Sequence, residues 1–149
     1  MHIVGNIDSL LNQKGRNVWS IDPDATVFEA IQLMADKNIG ALPVMRGDKL
    51  VGIFSERDYT RKVVLKGKTS KQTPVHEIIS PTVVSVDSGE TIEECMRLMT
   101  EHRVRHLPVI EGARLVGIIS IGDLVNWIIS AQSVALTQMQ DYISGKYPG

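Results

Sequence analysis

The sequence predicts an α/β (α+β) fold in which two β-α-β-β-α repeats pack as one pseudo-two-fold module. The first observation behind this is an ungapped internal match. Val18 to Tyr59 aligns on Val83 to Leu124 when the chain is slid along itself by 65 residues. Ser20/Ser85, Asp22/Asp87, Thr26/Thr91, Glu29/Glu94, Met34/Met99, Leu42/Leu107, Pro43/Pro108, Gly47/Gly112 and Ser55/Ser120 are identical pairs. A match of this length marks two copies of one supersecondary unit. The second observation is that each copy carries a capped helical stretch followed by two short apolar runs about a glycine turn. The third is size, because a unit of about 50 residues buries little core alone and needs its twin.

Each copy reads in order. Val18 to Ile21 is a short β-rich run, and the turn-prone DPDA follows. Thr26 with Glu29, and Thr91 with Glu94, have capping-box spacing, in which each side chain satisfies a backbone donor of the first helical turn. Val27, Ala30, Ile31 and Met34 then recur at helical spacing and make one apolar face. ALPVM, the turn RGDK and LVGIF read as a hairpin. SERDYTRKVVLKG opens on a Ser cap and reads as a helix. VGNIDSLL and VHEIIS suggest a short helix leading into each repeat, with the polar KGKTSKQTP as a linker. The expected boundaries are 1–66 for the first repeat with its leading helix, 75–130 for the second, and 131–149 for a C-terminal helical tail. The stretch NWIISAQSVALTQMQDYISGKYPG continues the last helix, and its Trp127, Ile128, Val134 and Leu136 are expected to contact another surface.

Composition excludes several classes. Sixteen Lys plus Arg stand against seventeen Asp plus Glu, a net charge of −1, so no global field draws the chain to nucleic acid or an anionic membrane. One cysteine permits neither an intramolecular disulfide nor a cysteine-based zinc site. The N-terminal stretch lacks the pattern of a signal peptide, and no apolar run approaches the ~18 to 20 residues that span a bilayer. A cytoplasmic protein is expected.

Candidate chemistry lies in the phrase that closes each repeat, VGIFSERD and VGIISIGD. Both place S-x-x-D where a strand runs into a helix. A carboxylate there accepts two ribose hydroxyls, and a serine at a helix start donates to a phosphate. Helix capping uses the same two residue types in the same two places, so both roles stand. Other constellations carry less. His102 and His106 have the spacing of two metal ligands, but Arg103 stands where a zincin needs Glu, and no third ligand is near. No metal is expected. Cys95 falls on the apolar helix face opposite Ala30 in the alignment, as a buried small residue. No Ser-His-Asp order, paired carboxylates or phosphate-cradling glycine loop supplies catalytic residues.

The capped helix, the ALPV and HLPV strands and the closing GIFSERD and GIISIGD resemble the CBS domain family, named for cystathionine β-synthase. The resemblance covers roughly Val18 to Ile129. It implies a stand-alone pair of CBS domains, a Bateman module, which regulates a partner protein, binds an adenine nucleotide between its copies and is not an enzyme. AMP is the ligand it implies first, with NAD, ATP or S-adenosylmethionine as alternatives, held reversibly and not as a prosthetic group. A homodimer formed through the helices is also implied; a ligand-free assembly protein is the competing reading. The family pattern pairs Asp58, Ser55 and Arg57 with Thr82, Val83 and Val84 and with Val104, Arg105 and His106. It pairs Asp123 and Ser120 with Lys14, Asn17, Val18 and Trp19 and with Ile39, Gly40 and Ala41. Arg57 has no counterpart at Gly122, and the neutral NIGALPV faces the basic RVRHLPV, so the two clefts are expected to be unequal.

Overall fold

The computed structural model describes residues 3–79 and 82–143, apart from the side chains at 132–136 and 142. The first repeat contains α2 (Val27–Lys37), β1 (Ala41–Arg46), β2 (Lys49–Ser55) and a helical turn α3 (Glu56–Asp58) that continues as a π-helix over Tyr59–Val64. The second contains α4 (Ile92–His102), β3 (His106–Glu111), β4 (Arg114–Ser120) and α5 (Ile121–Ile143). Ahead of them lie α1 (Ile7–Lys14) and a 3₁₀ turn at Val75–Glu77.

Local chemistry explains these elements. Thr26 accepts from the Glu29 amide, and Glu29 accepts from the Thr26 amide, a complete capping box. Thr91 likewise accepts from the Glu94 amide. The Glu94 carboxylate, however, turns away to the Arg97 guanidinium, so the second box is only half formed. Gly47 and Gly112 take φ of +60° and +61° in the hairpin turns, a region open to glycine without a Cβ clash. Both hairpins are antiparallel with the same register and the same irregularity, Val44/Met45 in one and Val109/Ile110 in the other.

The first strand expected in each repeat is reduced to one residue. Ile21 donates to Pro43 O and accepts from Met45 N, and Val86 does the same with Pro108 and Ile110. The two sheets therefore stay two-stranded and separate. The helix expected from SERDYTRKVVLKG forms, but its wider π winding begins at Tyr59.

What joins the repeats is an exchange of leaders. The α1 segment, which precedes the first repeat, bonds to the second: Ile7 N to Glu90 O at 2.9 Å and Asp8 N to Ser88 O at 2.8 Å. The 3₁₀ turn that precedes the second repeat bonds to the first, with Val75 N to Ala25 O at 2.8 Å and His76 N to Pro23 O at 3.0 Å. Apolar burial follows the same exchange. Ile7, Leu10 and Leu11 complete a core with Ile92, Cys95, Met99, Leu107, Val109, Ile119 and Leu124. Val75 and Ile78 complete the other core with Val27, Ala30, Met34, Leu42, Val44, Phe54 and Val63. Each fully buried aliphatic side chain contributes about 1.5–3 kcal/mol, so each borrowed leader adds several kcal/mol to the core it completes.

The start of α5 also belongs inside this chain. Trp127 Nε1 donates to Val4 O at 2.8 Å, its ring lies where a Cβ on Gly5 would stand, and Ile128 packs on the second core. The surface these two side chains meet is thus that of the N-terminal segment and the core of the second repeat. Val134 and Leu136 lie outside the described side chains. Among the described residues no helix is long and apolar enough to cross a membrane.

The close approach of α1 to β4 gives a direct test. A Cβ on Gly117 would lie 2.9 Å from Leu11 Cδ2. Leu11→Ala is expected to lower unfolding free energy by about 2–5 kcal/mol in urea titration. Gly117→Ala is also expected to destabilise, but the double variant should lose less than the sum, because the new methyl enters the space Leu11 leaves. Additive losses would contradict the packing of the exchanged leader.

Candidate functional site

The strand-to-helix junction of each repeat is a capping box. Ser55 Oγ accepts from the Asp58 amide at 3.2 Å, and Asp58 Oδ2 accepts from the Ser55 amide at 3.0 Å and from the Ser55 hydroxyl at 3.1 Å. Ser120 and Asp123 repeat this, with the Ser120 amide 2.8 Å from Asp123 Oδ2 and the Asp123 amide 3.1 Å from Ser120 Oγ. Capping is therefore a role these residues perform. It leaves Asp58 Oδ1 facing Lys62 Nζ across 3.3 Å.

Beside Asp58 lies a cavity of about 520 Å³ between the repeats. Ser55, Arg57 and Asp58 line it from the first repeat, and Thr82, Val83, Val84, Val104, Arg105 and His106 from the second. The structure thus brings this whole predicted set around one space. It adds Gly40, Ile53, Glu56, Arg61, Lys62 and Arg103. Arg61 and Lys62 follow Asp58 by three and four residues, a helical spacing that already places them on its face. Ile53 is set by the alternation of β2, which turns it away from buried Phe54.

The cavity is basic, with Arg57, Arg61, Lys62, Arg103 and Arg105 against Glu56 and Asp58. Arg57 also reaches across the repeats, its guanidinium donating to Arg103 O at 3.2 Å. Arg103 holds the left-handed C-cap of α4 at φ +55°, where the first repeat has Asn38 at the same φ. Asn suits that conformation and Arg does not, so strain is held at the cavity mouth.

The residues grouped with Asp123 are arranged differently. Lys14 Nζ lies 2.5 Å from Asp123 Oδ2 and donates to Ile118 O at 2.7 Å. Those two line a recess of about 200 Å³ with Leu10, Gln13, Asn126, Trp127 and Ser130. Asn17 is exposed and Val18 half-buried. Trp19 lies under the Lys37 ammonium, 4.1 Å from its ring centre. Ile39 packs on the first core, Ala41 is buried at the start of β1, and Gly40 lines the Asp58 cavity. The asymmetry extends to every cation. At repeat-related positions Arg57, Arg61, Lys62, Arg103 and Arg105 are answered by Gly122, Asn126, Trp127, Asn38 and Gly40.

Two other side chains have shifted acidities. Burial in the apolar core pushes the Cys95 thiol up to about 12, which leaves no thiolate for chemistry. His106 titrates below its ordinary 6.5, first because burial disfavours the imidazolium, then because Lys14 and Arg105 repel it against the opposing pull of Asp123. Among the described residues no three His, Cys, Asp or Glu side chains form a metal cluster.

This doubled unit is that of a known class of ligand-binding module. The CBS domain family model matches residues 14–65 and again 75–130, and the chain belongs to that family. It is 34% identical over 151 residues to the mitochondrial CBS domain-containing protein CBSX3 of Arabidopsis thaliana, covering 95% of this chain and 73% of that one. A solved CBS-domain protein from Burkholderia ambifaria MC40-6 is 47% identical, with a TM-score of 0.83 over 86% of this chain and 96% of its own. A further solved CBS pair, crystallised with 5′-methylthioadenosine and S-adenosyl-L-methionine, is 21% identical. Its TM-score of 0.70 over 83% of this chain and 94% of that one is a likeness of fold.

The His106 environment sets a pH dependence. Its folded-state acidity is displaced so that the neutral ring is favoured, whereas the unfolded chain protonates near 6.5. Stability from this residue is therefore full above pH 6.5 and falls as pH drops below it toward the folded value. Thermal melts between pH 7.5 and 5 should show a smaller acid-side loss for His106→Gln than for the parent chain. Equal losses would contradict a neutral, half-buried His106.

Proposed function

We propose that this chain is a regulatory module that binds an adenine nucleotide reversibly in the Asp58 cavity and passes the bound state to a partner protein. AMP is the first candidate, ahead of the larger NAD and ATP. The observation that carries this reading is the excess of cations around a carboxylate placed to accept ribose hydroxyls. Asp58 Oδ1 takes the ribose, and Lys62 moves from it toward phosphate. Arg57, Arg61, Arg103 and Arg105 supply guanidinium forks for phosphate oxygens. Ile53, Val83, Val84 and Val104 supply an apolar bed for the base. A volume of 520 Å³ falls within the ~300–1,000 Å³ of small-molecule sites.

The same charge orders the alternatives. S-adenosylmethionine carries a sulfonium cation and no phosphate, so five neighbouring cations repel it. The fold neighbour crystallised with that ligand supports an adenosyl class for the family architecture, while the local charge favours its phosphate-bearing members. A nucleoside monophosphate of about twenty-three heavy atoms at about 0.3 kcal/mol each gives an affinity of about ten micromolar, suited to a sensor of changing concentration.

Assembly is a second role compatible with the first. Val125, Ile129, Met139 and Ile143 are exposed along α5, and we propose a homodimer through this helix. Light scattering should give the mass of two chains.

Calorimetric titration of ligand-stripped protein tests the nucleotide reading. AMP should bind near ten micromolar and weaken as salt rises, with S-adenosylmethionine at least tenfold weaker. Asp58→Ala should remove binding, and Arg103→Asn should weaken it while raising thermal stability. No heat from any phosphate-bearing nucleotide, or tighter binding of S-adenosylmethionine than of AMP, would overturn it.

A further inference from the structure

We infer that the second cleft is closed by the chain itself, with Lys14 as a tethered cation on Asp123, so that each chain takes one nucleotide and not two. This rests on the proposal that the Asp58 cavity is the nucleotide site. The two S-x-x-D carboxylates are alike in their capping bonds but not in what meets them from outside the box. Asp58 presents Oδ1 to a cavity, with Lys62 at 3.3 Å from its own helix. Asp123 is met by a lysine from another element altogether, at 2.5 Å and on the same Oδ2 that caps α5. A ribose arriving there would have to displace an ammonium that also holds Ile118 O.

The surroundings agree with the ion pair. The recess of about 200 Å³ that Lys14 and Asp123 line lies between α1 and α5 and takes in none of Val18, Trp19, Ile39, Gly40 or Ala41, whereas the full set expected around Asp58 lines one cavity of about 520 Å³. None of the cavity's five cations is repeated at the matching position in the other repeat, and Lys14, the cation that meets Asp123, is committed. Trp127, which replaces Lys62, is turned to Val4 and Gly5. The pair also has a structural use. Lys14 is the last residue of α1 and Asp123 lies in the first turn of α5, so it clasps the exchanged leader to the repeat that borrows it.

Titration of the full chain with AMP, analysed for stoichiometry, tests this. The parent chain should bind about one AMP, and Asp123→Asn should keep that number with affinity changed less than about twofold. Asp58→Asn should lose at least about tenfold in affinity, the scale of a charged hydrogen bond. Two AMP per chain, or loss of half the sites in Asp123→Asn, would overturn the inference while leaving the nucleotide reading intact. Absence of AMP heat in the parent chain would instead overturn that reading and the stoichiometry with it. The clasp is then decided by melting temperatures. Lys14→Met and Asp123→Asn should each lower the midpoint and the double variant no further, whereas additive losses would show that no clasp exists.

Discussion

The exchange of leaders is the constraint on which the rest of the molecule depends. Each repeat has one amphipathic helix and one hairpin, and these leave an edge of its core uncovered. Ile7, Leu10 and Leu11 cover it in the second repeat, and Val75 and Ile78 in the first. Because each leader is covalently attached to the repeat it does not cover, closing one core draws the other into place. The hydrogen bonds of Ile7 to Glu90 and of Val75 to Ala25 fix the register of that closure. The cavity between the repeats is a by-product of the geometry: the strand-to-helix junction of the first repeat is held against residues 82–84 and 103–106 of the second.

On this nearly symmetric frame the chemistry is not symmetric. Both junctions keep the reciprocal Ser and Asp cap, since that local bonding starts the following helix. Selection of charge acts outside the cap. The Asp58 side gathers guanidinium groups from both repeats and tolerates a left-handed Arg103 to do so. The Asp123 side supplies one lysine and spends it on the carboxylate. A duplicated unit thus separates into a cavity and a clasp by changing a handful of side chains, with no change in backbone plan.

Much of this was legible in the sequence because the signals are local. The Thr26 box, the Gly47 and Gly112 turns and the strand–helix junctions depend on residues within a few positions of one another. The Asp58 lining over 82–84 and 104–106 was legible through the family resemblance, whereas Arg103 was not among the residues it implied. Three features were not legible. The leaders do not keep the 65-residue spacing, and one is an α-helix and the other a 3₁₀ turn, so periodicity gave no sign of their exchange. The resemblance grouped Lys14 with Asp123 as ligand-binding residues, but not as partners of each other across 109 positions, which follows from that exchange. Glu94 matched the capping pattern, but Arg97 one turn on is a stronger partner for a carboxylate than a neutral amide.

The ligand is proposed to act at one basic cleft, built by this exchange around Asp58. Hydrogen exchange followed by mass spectrometry, with and without saturating AMP, reads it most directly. Slowed exchange is expected over residues 56–64 and 103–107, with unchanged rates over 119–126. Protection centred on 119–126, or no protection in either region, would contradict it.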